Sequence, residues 1–189
     1  GNGLGLPAQQ REHAERRSTL VRSGTTDAHV AITFAAYNVG RCRNLDEENL
    51  CRIYERRPLV CRIYPAEINP HIPLNPAAKD CPPESWQQGP MLIAGGELVD
   101  QELVELIQRS RQADRDDIGI KDAICAMLGI RTTALKGDGF TAYLPNMSAF
   151  ASVIDQVTAQ PLTTTPSEWV FHLSGDDVAG QVLAAGAQV

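Results

Sequence analysis

The segment from residue 40 to residue 90 limits what this chain can fold into more than any other. It contains eight of the twelve prolines and four of the five cysteines. Proline removes a backbone donor and breaks helices, so prolines at this density exclude a long helix. A long irregular segment inside a domain needs something to order it, and metal coordination can do this where apolar contacts are few.

Cys42, Cys51, Cys61 and Cys81 are the candidate metal ligands. Their spacing differs from the close cysteine pairs of zinc fingers and from the close-set runs of ferredoxins. Thiolates favour zinc, Cu(I) and iron–sulfur clusters. Taken alone, the spacing leaves a set of buried thiols as the alternative. Grouped cysteines in a chain without a visible export signal indicate a reducing compartment, and we therefore expect a cytoplasmic protein.

Six arginines accompany these cysteines, although the chain as a whole has a net charge of −6. They are Arg41, Arg43, Arg52, Arg56, Arg57 and Arg62. One interpretation is that they offset the negative charge of a thiolate-rich site. The other is that they form ordinary surface ion pairs with the neighbouring acids, Asp46, Glu47, Glu48 and Glu55.

The residues between the cysteines resemble a known family. The pattern Cys-x-Asn-Leu-Asp…Cys-Arg-Ile-Tyr-Glu-x-Arg-Pro-x-x-Cys-Arg-x-Tyr-Pro is similar to the signature of the YkgJ-type cysteine-cluster proteins, whose domain is described as zinc- or iron-chelating. A segment of the flagellin lysine N-methylases is similar too. The resemblance covers residues 40–81 and implies that Cys42, Cys51, Cys61 and Cys81 bind metal. Tyr54 and Tyr64 are expected to pack around the site or to hydrogen-bond within it.

The family's opening C-x2-C-x2-CC group is missing from this sequence. Either this relative lacks that group, or the sequence begins downstream of it, an expectation favoured by its first residue, Gly1. The set of four cysteines is therefore expected to be a minimum. His71 is an alternative nitrogen ligand, although a solvated loop histidine fits its position better. Cys125 lies on an apolar helical face and is expected to be a core residue.

The functional expectation is a metal-binding protein that holds iron or an iron–sulfur cluster. It could serve as an oxidoreductase or as a component of a protein-modifying enzyme, but no catalytic residue can be named from the sequence. The alternative is a structural zinc module that mediates interaction with a protein partner. The acidic charge argues against nucleic acid, and no apolar run is long enough to span a membrane. The sequence does not predict an oligomeric state.

The expected fold is α+β and mainly α, with the proline-rich segment packed on C-terminal helices. Residues 1–90 are expected to form the metal-binding region and residues 91–189 a helical region, joined as one continuous domain. Predicted helices cover residues 7–22, 97–114, 117–128, 176–185, and a stretch from Asn146 or Ser148 to about 160 that Pro161 ends. Predicted strands cover residues 29–38, 91–94, 141–144 and 169–173.

Overall fold

The computed structural model describes residues 7–159 and 167–189. Six α-helices occur in these residues: α1 (Ala8–Glu15), α2 (Leu59–Ile63), α3 (Gln101–Asp116), α4 (Ile118–Met127), α5 (Met147–Thr158) and α6 (Asp176–Ala184). Six short strands accompany them: β1 (Thr19–Ser23), β2 (Thr26–Val30), β3 (Ile93–Ala94), β4 (Glu97–Leu98), β5 (Thr132–Ala134) and β6 (Val170–His172). Single 3₁₀ turns cover Tyr54–Arg56, Pro76–Ala78 and Pro83–Trp86. The predicted α+β, mainly α class is confirmed.

The chain divides into two compact units. Unit 1 comprises Gly1–Phe34 and Arg115–Val189, and unit 2 comprises Ala35–Asp114. All four candidate ligands lie in unit 2, and Cys125 lies in unit 1. The boundary predicted near residue 90 separates a metal-binding region from a helical region and is not a boundary between compact units. It stays a prediction.

Unit 1 begins with a short helix and a hairpin, where a single long helix over residues 7–22 was expected. That prediction is wrong beyond Glu15, because Thr19–Ser23 pairs in antiparallel register with Thr26–Val30. Gly24 makes the turn at a φ of 59°, a backbone conformation that glycine adopts without steric cost. Alternate residues of both strands are buried, as expected for a hairpin with one face on a core. The strand predicted over residues 29–38 is observed at Thr26–Val30 instead, because pairing with β1 ends at Val30.

The second sheet of unit 1 is a parallel pair, β5 and β6. The strand predicted over residues 169–173 is confirmed as Val170–His172. The strand predicted over residues 141–144 is wrong, since these residues have no regular structure. Tyr143 instead donates its hydroxyl proton to the carbonyl oxygen of Thr132, 2.9 Å away, so this segment meets β5 through a side chain.

The helix ends of unit 1 that capping residues mark agree better with the sequence predictions than its strands do. Asn146 caps α5, since its side-chain oxygen accepts the backbone N–H groups of Ser148 and Ala149, each at 3.0 Å. Gly129 ends α4 at a φ of 70°, as a C-terminal glycine does. Helix α6 also lies where it was predicted. Pro161, the predicted end of α5, lies outside the described residues.

Two groups of buried apolar residues stabilise unit 1. One joins the hairpin to the strand region around Trp169 and includes Val21, Val30, Cys125 and Phe171. The other joins α4 to α5 through Ile124, Val153 and Val157. Aliphatic and aromatic burial of this kind is the usual main source of folding free energy.

Unit 2 has one apolar cluster, formed by α2 and the residues after it against α3. Helix α3 begins at Gln101, four residues later than predicted. Glu97–Leu98 instead pairs with Ile93–Ala94 through a turn at Gly95 and Gly96, both with positive φ. The apolar cluster confirms the expected packing of the proline-rich segment on a C-terminal helix, which is α3.

Across residues 7–159 and 167–189, none of the helices is both long and apolar enough to cross a membrane.

Candidate metal centre

The second cysteine ends a closed loop over residues 45–51, and the first lies three positions before the start of this loop. Leu45 pairs with Cys51 in an antiparallel bridge, and the amide of Arg52 donates to the carbonyl oxygen of Asn44 at 2.8 Å. Inside the loop, the Asp46 carboxylate accepts the amides of Glu48 and Leu50, at 3.0 and 2.8 Å. Such side-chain acceptors replace the backbone partners that an irregular segment lacks. The backbone therefore brings the chain after Cys42 next to Cys51.

The third cysteine lies on α2, which a single buried side chain anchors. Ile63 is buried against α3, whereas Cys61, two residues earlier, is exposed. Residues two apart on a helix point in different directions, so burying Ile63 turns Cys61 toward solvent. Arg57 and Pro58 form the extended turn that starts the helix, because a residue before proline avoids the helical region.

The fourth cysteine is linked to the end of α2 by Tyr64. The Tyr64 hydroxyl oxygen accepts the backbone amide of Asp80 at 3.0 Å and the thiol of Cys81 at 3.6 Å. The pKa of Tyr64 is raised above its ordinary value. The hydrogen bond with Cys81 is the largest cause, and partial loss of hydration is the next largest. Tyr64 therefore hydrogen-bonds to two residues around Cys81, and its expected place in a metal site stays a prediction. Cys61 and Cys81 are thus attached to one structural element.

All five cysteines are free thiols, and they fall into two classes: four that solvent reaches and one that is buried. Cys42 and Cys61 are exposed, while Cys51 and Cys81 are half-buried. Cys125 is buried, and this burial, with a smaller effect of the Asp122 charge, raises its pKa to about 11. A protonated core thiol is a poor metal ligand, because the thiolate is the binding form. The prediction that Cys125 is a core cysteine is confirmed.

The arginines around these thiols have partners of several kinds. Arg62 pairs with Glu102 of α3 at 3.1 Å, and not with one of the nearby acids that the sequence suggested. Arg43 donates to the carbonyl oxygen of Tyr37, and Arg41 donates to the side chain of Asn49. The guanidinium of Arg57 lies over the ring of Tyr54, 3.6 Å from its centroid. Arg62 therefore helps to hold α2 on α3.

A complete ligand set is not assembled by the described residues. Within residues 7–159 and 167–189, no group of three or more His, Cys, Asp or Glu side chains could hold a metal ion. The chemistry of the donors, accessible thiols, fits zinc and iron. The assignment of Cys42, Cys51, Cys61 and Cys81 as joint ligands stays a prediction, and so does the solvated-loop interpretation of His71.

The comparisons with known proteins give one match. No curated protein and no solved structure matches the chain. Residues 6–82 match the family model CxxCxxCC, described as a putative zinc- or iron-chelating domain. The match begins well before residue 40, where the resemblance seen in the sequence began, and it includes all four candidate ligands. It therefore confirms the family resemblance over residues 6–82 and supports metal binding as the general function of that segment.

Proposed function

We propose that the cysteine segment, residues 40–82, binds iron, as a single ion or as an iron–sulfur cluster. Cys42, Cys51, Cys61 and Cys81 are the proposed thiolate ligands. The observation that carries the proposal is the contrast between these cysteines and Cys125. The four are free and reachable from solvent in a segment matched by a metal-chelating family, while Cys125 is in an apolar core.

A redox role, or a role in a protein-modifying enzyme, follows from the same exposure. A metal held by exposed and half-buried cysteines lies where an electron partner or a substrate can approach it. This distinguishes an accessible site from a closed structural one. The described side chains suggest no particular substrate, so the proposal is limited to an accessible iron site.

A structural zinc site is the second candidate, and one observation favours it. Of residues 40–90, all of which the structure describes, Ile63 and Ala66 alone are buried. A segment with so little apolar burial gains much from a metal, because the free energy of metal binding then adds to that of folding. In this case the segment would present its exposed apolar residues, such as Tyr54 and Val60, to a protein partner.

Anaerobic purification of the chain, followed by metal analysis, sulfide analysis and a visible spectrum, separates these candidates. Iron with a coloured spectrum supports the first candidate, and stoichiometric zinc in a colourless protein supports the second. Absence of stoichiometric metal would contradict both.

Three cysteine variants test the ligand assignment. Cys51→Ser and Cys61→Ser should each lower metal retention by at least about tenfold, since even changes outside the ligand shell cost that much. Cys125→Ala is the matched control and should retain the metal. If Cys125→Ala loses the metal, or if both serine variants keep it, the assignment is wrong.

A further inference from the structure

The loop that carries Cys81 is attached to α2 by the side chain of Tyr64. Tyr64 is the C-cap of α2, three residues after Cys61. Its hydroxyl oxygen accepts the backbone amide of Asp80 at 3.0 Å and lies 3.6 Å from Cys81 Sγ, a hydrogen-bonding distance for sulfur. The preceding side chain, Ile63, is buried against α3. One tyrosine therefore connects the loop of the fourth proposed ligand to the helix of the third.

The groups around the Tyr64 oxygen leave its own proton available to sulfur. The amide of Asp80 can only donate, so the oxygen is its acceptor. As a thiol, Cys81 donates to the same oxygen, but the metal-binding form of a cysteine is the thiolate, which has no proton. The phenol both donates and accepts, and its raised pKa keeps it protonated at neutral pH. The contact with Cys81 can therefore persist in a metal site with the tyrosine as donor.

We propose that Tyr64 is a positioning residue for the proposed ligand Cys81: its hydroxyl group donates a hydrogen bond to the Cys81 thiolate and holds it next to α2. Tyr64 acts through the sulfur and does not bind the metal. The inference rests on the iron site proposed above and adds a partner for one of its ligands. Groups that hydrogen-bond to a ligand orient it, and hydrogen bonds to ligating sulfur set the reduction potential of an iron site.

A second contact holds the same loop against the tyrosine ring. The ammonium group of Lys79 lies 5.6 Å from the ring centroid of Tyr64, close enough for a cation–π contact. Lys79 forms an ion pair with Glu67 at 2.5 Å, and the two side chains are only 13% and 27% exposed. A partly buried pair is screened less by salt than a surface pair. The ring and the loop are thus fixed to each other at Lys79 as well as at Asp80 and Cys81.

Tyr54 provides a matched control within the same motif. It is about as exposed as Tyr64, and its ring is covered by the Arg57 guanidinium. No described residue hydrogen-bonds to its hydroxyl group. Tyr54→Phe and Tyr64→Phe therefore remove the same atom from two tyrosines of one segment, and only the second loses a hydrogen bond to a cysteine.

Amide hydrogen exchange of the chain prepared without metal tests the positioning. Tyr64→Phe should quicken exchange at the Asp80 amide about fivefold, the effect of one lost hydrogen bond, whereas Tyr54→Phe should leave it unchanged. Equal exchange in the two variants would overturn the inference, whatever metal the wild-type chain binds.

A redox titration of the iron-loaded chain tests the hydrogen bond to sulfur, which a merely structural tyrosine would not supply. At a fixed potential, the ratio of oxidised to reduced iron should rise about tenfold in Tyr64→Phe, a shift of about 59 mV to more negative potential for a one-electron couple. Tyr54→Phe should not shift. An equal potential in the two variants would overturn the inference and leave the iron site standing.

Ring-fluorinated tyrosine, incorporated throughout the wild-type chain, keeps the test decisive if Tyr64→Phe fails to fold. Fluorine makes the phenol more acidic and a stronger donor, so the potential should move to more positive values, and the same shift should occur in Tyr54→Phe. Absence of this shift would overturn the inference. A wild-type chain that binds no iron would overturn the iron site, and with it the hydrogen bond to a ligating sulfur.

Discussion

The apolar clusters of unit 1 and the cysteine segment of unit 2 are ordered by different means. Unit 1 buries Val21, Trp169, Ile124 and their neighbours in two groups. In the cysteine segment, Ile63 and Ala66 supply the buried surface, and turns closed by side chains such as Asp46 supply much of the remaining order. The first region can be stabilised by burial alone. The second has the composition of a segment that a metal would complete.

The largest expected effect is the loss of Trp169 from the unit 1 core. Trp169 is 2% exposed, and its indole N–H donates to Ser167 Oγ at 2.9 Å. Trp169→Ala should lower the free energy of unfolding by about 3–5 kcal/mol, measured by urea titration with circular dichroism. Phe140→Ala, at a position 87% exposed, should change it by less than about 0.5 kcal/mol. Equal effects of the two changes would contradict the assignment of this core.

A change at Ile63 shows how far the cysteine segment depends on one buried residue. Ile63→Ala should lower the free energy of unfolding by about 2–5 kcal/mol, because the cavity between α2 and α3 cannot fully close. Val60→Ala on the same short helix, at a position 60% exposed, is the control and should have little effect. Hydrogen exchange should also quicken at the α2 amides in Ile63→Ala and not in Val60→Ala. Unchanged exchange in both variants would mean that α2 is held by other contacts.

The smallest expected effect is a pH dependence of the free energy of unfolding, which arises from the burial of Cys125 in the core. Its pKa is raised from 9.0 to about 11 in the folded chain, so the unfolded thiol ionises first. Its contribution to stability is complete below about pH 9 and is lost as the pH rises toward about 11. The expected loss is about 2–3 kcal/mol, because a tenfold difference in acidity between the folded and unfolded thiol corresponds to about 1.4 kcal/mol.

Comparison with Cys125→Ala separates this effect from the titration of lysines and tyrosines, which is the same in both proteins. The free energy of unfolding should fall more steeply between pH 9 and pH 11 in the wild-type chain than in Cys125→Ala. Parallel curves would show that Cys125 is hydrated, and the contrast between the two classes of cysteine would then lose its basis.

Signals confined to a few neighbouring residues were predictable from the sequence. Asn146 and Gly129 mark helix ends because each satisfies or shapes backbone groups within its own turn. The prolines exclude long helices from residues 40–90 for an equally local reason. Thr19–Ser23 was mispredicted because its strand conformation depends on pairing with Thr26–Val30, which outweighs weak local preferences.

What the sequence by itself determined is therefore the irregular cysteine segment, its family resemblance and the ends of several helices, all of which depend on residue type and short spacing. Tertiary structure decided which of the four candidate ligands are exposed and which are half-buried, and that β5 pairs in parallel with β6. It also decided that the Tyr64 oxygen lies next to Cys81. The two residues are 17 positions apart in the chain. Their contact depends on Ile63 anchoring α2 and on the path of the intervening loop, which no local pattern specifies.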